Sequence, residues 1–374
     1  MIWDTAYRQK IAPYLYNLLQ KSGSISQVPS QIAENFRQSA LISARLKLKL
    51  ENEFHHIIQV LNQANIPTIA LKGAHLSALI YDDPALRPVD DVDLLVKAQD
   101  LLVCDQQLLG LGYGPSSKSW LQRGYIESHQ HLPPYLKNDA YPIEIHWTIS
   151  HPKHQVAINS EELWSRAQPT VLAGADTHVL SLEDLLLHLS IHACLEDLYS
   201  SGIRPLIDIY ETIIRFQDQI NWDILIERSK QWRVQKAVFL TLTLTAQLLQ
   251  LKLPDRVLND LKPAGTDQLV ITSARQKITS QIQVSSNFAR LWGQGSIPQK
   301  TSTLFNRIFP PVGEMTRKYG LLPGRLPLYR AYLQRIKDLT LRYGTSSIRM
   351  LTGDKEAHTI TNPDIVLARW LESG

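Results

Sequence analysis

Residues 66–96 read IPTIALKGAHLSALIYDDPALRPVDDVDLLV, and residues 142–147 read PIEIHW. These two stretches decide the fold. IPTIAL (66–71) is short and rich in β-branched residues, which predicts a strand ending at Lys72-Gly73. AHLSALIY (74–81) reads as a helix, and a loop with Asp82, Asp83, Pro84, Arg87 and Pro88 follows. DVDLLV (91–96) is the second strand. AQDLLVCDQQLLGLG (98–112) is an amphipathic helix ending at Gly110 or Gly112. Two further strands are expected, one around 131–137 and one at 141–149, with Asn138-Asp139 at the turn between them. Strand, helix, strand, helix and hairpin together predict a small mixed α/β sheet with helical cover.

Side chains alternate across a strand, so Asp91 and Asp93 point to one face while Val92 and Leu94 point into a core. Glu144 and His146 share a face in the same way, opposite Ile143 and Ile145. Two carboxylates one repeat apart repel each other and resist burial, so the pair suggests a bound cation. By the same argument, Asp93→Asn is expected to leave the metal-free protein as stable or more stable. Hard oxygen ligands suit Mg²⁺ or Mn²⁺. If the 141–149 strand lies beside DVDLLV, Glu144 completes a cluster of three carboxylates. The turn at Lys72-Gly73-Ala74 adds a glycine, free N–H groups at a helix start and a cation, a combination suited to phosphate.

The run at 71–96 resembles the signature of an uncharacterised bacterial nucleotidyltransferase family within the DNA polymerase β-like superfamily. Its marks are an apolar strand, the Gly73 turn, Asp91-x-Asp93, and a later strand with Glu144. The likeness extends more loosely to EDLLLHLSIHACLEDLYSSGIRPLIDIYETI (183–213), where His192, Arg204 and Asp208 match a His followed by Arg-x-x-x-Asp. Many superfamily members carry Ser after the glycine turn; this chain has Ala74. The resemblance implies a Mg²⁺- or Mn²⁺-dependent, two-metal transfer of a nucleoside monophosphate from an NTP to an acceptor, with pyrophosphate released. In it Asp91, Asp93 and Glu144 hold metal and catalyse. Lys72, Gly73, Ala74 and Arg87 meet the triphosphate. His146, His192 and Arg204 lie toward the acceptor. A non-catalytic nucleotide-binding module is the alternative.

The flanks read as helical. Ile11, Leu15, Leu18 and Leu19 keep a 3.6 period, as do Leu46, Leu50, Phe54, Ile57 and Val60, with a polar loop at 22–30 between them. The expected layout is an N-terminal helical region at 1–60, the nucleotidyltransferase core at 61–180, and a C-terminal helical region at 181–374. In the last, Ser181 and Asp184 resemble a capping box. LTLTLT (240–245) alternates like a strand, but its flanks argue for helix. A final helix is expected to start at Asn362-Pro363. His188 and His192 stand four apart; a buried, hydrogen-bonded His and an exposed one is the simpler reading, since zinc wants three or four ligands. Arg204 and Asp208 have the spacing of a helix salt bridge.

With 44% hydrophobic and 20% charged residues among 374, disorder is not expected, and a net charge of +4 does not by itself require nucleic acid. Residues 317–349 are basic and interleaved with tyrosines, which suits RNA or an acidic partner, or else a solvated helix face. Cys104 and Cys194 fit a reducing cytoplasm. The start MIWDTAYRQK is no signal peptide, and the apolar run at 237–253 is broken by Thr, Gln and Lys, so no membrane association is expected.

Overall fold

The computed structural model describes residues 2–117, 119–121, 124–279, 332–333 and 355–373. Two compact units are present: Met1–Glu196 with Ile203–Pro263, and Asp197–Gly202 with Ala264–Gly374. Apart from residues 332–333, the basic 317–349 stretch lies outside the described residues.

The first unit opens with α1 (Ile2–Arg8), α2 (Ala12–Lys21) and the 34-residue α3 (Ser30–Gln63). Leu50, Phe54, Ile57, Ile58 and Leu61 form the buried side of α3. Burying each such side chain contributes roughly 1.5–3 kcal/mol relative to exposure. The helix closes with paired backbone bonds, Ile66 N–H to Leu61 O and Asn65 N–H to Asn62 O, both 2.9 Å. Asn65 sits at φ 57°, a left-handed position that Asn tolerates. The chain leaves this cap directly into β1 (Ile69–Ala70).

α4 (Lys72–Leu79), β2 (Val92–Leu95), α5 (Leu101–Gly110), β3 (Gly114–Pro115), α6 (Tyr125–Ser128), β4 (Tyr135–Leu136), β5 (Ile143–His146), α7 (Ser160–Arg166), β6 (Gln168–Leu172) and β7 (Ala175–Val179) follow. The seven strands form one mixed sheet in the order β3-β4-β5-β2-β1-β7-β6. β2 is parallel to β5 and antiparallel to β1, which is parallel to β7. Val92, Leu94, Ile143 and Ile145 share a core cluster with Phe54, Ile57 and Leu61 of α3 and with Leu101, Cys104 and Leu108 of α5. That apolar side fixes the register, because slipping one strand by a residue would drive Asp93 or Glu144 into it.

The unit ends in helices: α8 (Leu182–Ile191), which runs into a π-helical turn at His192–Glu196, then α9 (Arg204–Phe216), α10 (Trp222–Gln231), α11 (Gln235–Leu249) and α12 (Asp255–Leu261). This is the mixed α/β fold of a polymerase β-like nucleotidyltransferase core, a central sheet flanked by helical regions. Among the described residues no helix is long and apolar enough to cross a membrane.

LTLTLT lies inside α11. Two of its buried hydroxyls bond backward along the helix, Thr241 to the Ala237 carbonyl at 2.7 Å and Thr245 to that of Thr241 at 2.8 Å, while the buried Thr243 hydroxyl has no partner. Ser181 caps α8 by accepting the Asp184 N–H at 3.3 Å. Asp184 does not return the bond; it is buried and pairs with Arg166 and Arg228, both at 2.8 Å. In the second unit, α13 (Gln268–Thr279) packs on α14 (Lys355–Glu372), with a buried ion pair between Lys277 and Asp364. The expected start of that last helix at Asn362-Pro363 is corrected: the helix begins seven residues earlier, and Pro363 stands inside it.

Candidate functional site

The strand register builds the site. β2 and β5 run parallel with Asp93 opposite Glu144 and Leu95 opposite His146. Side-by-side residues in a ladder share a face, so Asp93, Glu144 and His146 project together, away from the α3 and α5 core. The Leu71 N–H bonds the Asp93 carbonyl at 3.0 Å, which sets the start of α4 against the same strand.

Asp93 is almost completely buried, at 1% exposure. Its Oδ1 accepts hydrogen bonds from Lys72 Nζ at 3.1 Å and His146 Nε2 at 2.9 Å. Its Oδ2 is buried and has no partner. His146 Nε2 lies 3.5 Å from Glu144 Oε2. Asp93, Glu144 and His146 each offer one ligand atom within 4.8 Å of the others, forming the one such group of three among the described residues. An orphaned, buried carboxylate oxygen beside two more donors is what a divalent cation would satisfy, so these residues fit a metal ion.

Burial opposes ionisation of Asp93, but Lys72 and His146 outweigh it and hold the carboxyl well below its ordinary value. Burial also works against the Glu144 charge, and the hydrogen bond from His146 reverses that, so Glu144 is lowered. Asp91, just before β2, is pushed up to about 6 by burial and by the neighbouring Asp93. Burial disfavours the charged forms of Lys72 and His146, yet the acidic neighbours raise both. This balance points the other way from neutral or stabilising charge removal at Asp93 without metal. Asp93 is balanced by two cations in a buried setting, and neutralising it strands them.

At the turn, the left-handed residue is Lys72, at φ 38°, and not Gly73. Gly73 matters for space: a Cβ there would stand 2.8 Å from Val89 Cγ1 and 3.2 Å from Arg87 Nη1. Gly73 and Ala74 lie in the first turn of α4, which has no side-chain cap on its N–H groups. Arg87 is buried, and Asp208 of α9 binds it through Nε at 2.8 Å and Nη2 at 2.9 Å. The Tyr81 hydroxyl donates to the same carboxylate at 2.7 Å. The expected Arg204–Asp208 helix bridge is thus absent: Asp208 is taken by Arg87. Arg204 instead places Nη1, which lacks a hydrogen bond, 3.7 Å from Asp90. Asp90 is further paired with Lys10 at 2.5 Å.

His188 departs from the expected hydrogen-bonded core histidine. It is buried, and neither ring nitrogen has a partner. Burial first, then Lys72, His192 and His146, keep its pKa well below the ordinary value. His192 is half-buried in the π-helical turn. Sequence reasoning gave His146 a place beside the acceptor and did not group it with the ligand atoms. The signal was available: His146 stands to Glu144 as Asp93 stands to Asp91. The Arg87–Asp208 pair, 121 residues apart, left no local signal.

A model of the family described as "Uncharacterised nucleotidyltransferase" matches residues 1–250. No curated protein gives a significant match. A solved structure of an antigenic nucleotidyltransferase-like protein from Paracoccidioides brasiliensis is similar at 18% identity, covering 51% of this chain and 92% of that one, with a TM-score of 0.31. The chain belongs to this family of uncharacterised nucleotidyltransferases.

Proposed function

From that membership and the carboxylate cluster, we propose that the protein transfers a nucleoside monophosphate from an NTP to a hydroxyl-bearing acceptor and releases pyrophosphate. The observation that carries the reading is the partnerless, buried Asp93 Oδ2 beside Glu144 and His146. Asp91, Asp93 and Glu144 would hold Mg²⁺ or Mn²⁺. Bound divalent ions would supply charge neutralisation at the α-phosphate and on the departing pyrophosphate.

The chain's own groups do the rest. Lys72 and the first-turn N–H groups of Gly73 and Ala74 would bind phosphate oxygens. Arg87 would add positive charge from behind the turn while its fork stays on Asp208. Glu144, kept ionised by His146, would take the acceptor's proton as the acceptor oxygen bonds to the α-phosphorus. The bond from that phosphorus to the bridging oxygen breaks, and the electron pair leaves with pyrophosphate. His192 and Arg204 would face the acceptor. An RNA or otherwise acidic acceptor would use the basic 317–349 stretch. The buried thiols of Cys104 and Cys194, not joined in a disulfide, suit a cytoplasmic setting.

The first test is metal dependence of binding. Calorimetry of each NTP with Mg²⁺ should show binding that is lost when EDTA replaces the metal. Equal affinity in both conditions would remove the metal-site assignment.

A further inference from the structure

The donor set contains a nitrogen. Asp93, Glu144 and His146 present two carboxylate oxygens and one imidazole Nε2 within 4.8 Å of one another. In an octahedron with bonds of about 2.1 Å, adjacent ligands stand about 3 Å apart. The two distances measured from His146 Nε2, 2.9 Å to Asp93 Oδ1 and 3.5 Å to Glu144 Oε2, bracket that spacing. His146 is buried at 2% exposure, so its ring is held in place by packing. Asp93 Oδ2 adds a buried anionic oxygen with no partner.

Mg²⁺ takes oxygen ligands and keeps its waters, and it gains little from imidazole. First-row transition ions do gain from it, and the gain rises from Mn²⁺ onward. Two carboxylates still favour a hard ion, and three protein ligands leave octahedral positions for phosphate oxygens. We infer that His146 is a metal ligand and that the site selects Mn²⁺ over Mg²⁺. This inference rests on the nucleotidyl-transfer reading for its setting, but it concerns the ion and its nitrogen donor only. To ligate, His146 as the imidazolium gives up its hydrogen bond to Asp93 and sheds the Nε2 proton to solvent, keeping the proton on Nδ1, so that the ligand is a neutral imidazole.

Electron paramagnetic resonance tests this directly. Full-length protein labelled with ¹⁵N-histidine is loaded with Mn²⁺, and pulsed spectra are read for nitrogen coupling. The expected result is coupling to one imidazole, with Mg²⁺ displacing bound Mn²⁺ poorly. His146→Gln should abolish the coupling and lower the Mn²⁺-over-Mg²⁺ preference about tenfold or more. Bound Mn²⁺ without nitrogen coupling in the wild type overturns the inference and leaves the nucleotidyl-transfer reading standing. So does a preference that His146→Gln does not change, provided its circular dichroism matches wild type. Failure of the wild type to bind any divalent ion overturns both. The wild-type spectrum decides the question even if the variant does not fold.

Discussion

Asp93 carries the charge balance of the site. One oxygen holds Lys72 and His146, and the other holds nothing. Asp93→Asn should therefore destabilise the metal-free protein, by about 3–5 kcal/mol, because two buried cations lose their counterion. Urea denaturation in EDTA measures it, and an unchanged or raised midpoint would return the site to simple repulsion between carboxylates. Asp91 gives a second prediction, through pH. Its carboxyl is raised to about 6 by burial and by Asp93. In that window the folded state binds more protons than the unfolded chain, so stability falls as pH rises. Relative to Asp91→Asn, the wild type in EDTA should lose on the order of 2 kcal/mol between pH 4 and pH 7. A flat difference would mean that neither burial nor Asp93 raises the Asp91 carboxyl. The alternation of DVDLL and IEIH made it legible that these side chains share faces. The compensation by Lys72 was not legible, because it depends on a backbone turn at φ 38° that no residue type at position 72 announces.

At the scale of the element, the α4 start and the 81–89 loop are one assembly. Val89 fills the space that a side chain at position 73 would need, and Asp208 clamps Arg87 from α9. Gly73→Ala should cost about 1–3 kcal/mol through overpacking, and Val89→Ala in the same chain should recover most of it. Thermal melts of the two single variants and the double variant check this; additive losses would show that the two positions do not share the space. Elements with strong local signals were readable, among them the long amphipathic helices and the helix at 240–245, whose flanks outweighed its period-two texture. The β6–β7 hairpin was not read. Its turn places Ala173 at φ 50° and Gly174 at φ 77°, and alanine gives no warning of a left-handed turn. Pro363 misled for a related reason: proline usually opens a helix, and here it stands within one.

For the whole molecule, the order of strands is what makes the site, since parallel β2 and β5 bring residues 93 and 144 side by side across 51 positions of sequence. The sequence pattern pointed to that pairing only through the demand that both carry one apolar and one polar face. It held no information on which helix supplies the ion-pair partner of Arg87, because such long-range pairs leave no periodic trace. Following phosphorus tests nucleotidyl transfer most directly. The protein is incubated with a cell extract and each NTP, labelled at the α-phosphate or, separately, at the γ-phosphate. Label is expected on an acceptor from the α-position alone, with pyrophosphate as the other product and loss of both in Asp93→Asn. Transfer of γ-label, or no transfer from any of the four NTPs, would contradict it and leave a nucleotide-binding module in its place.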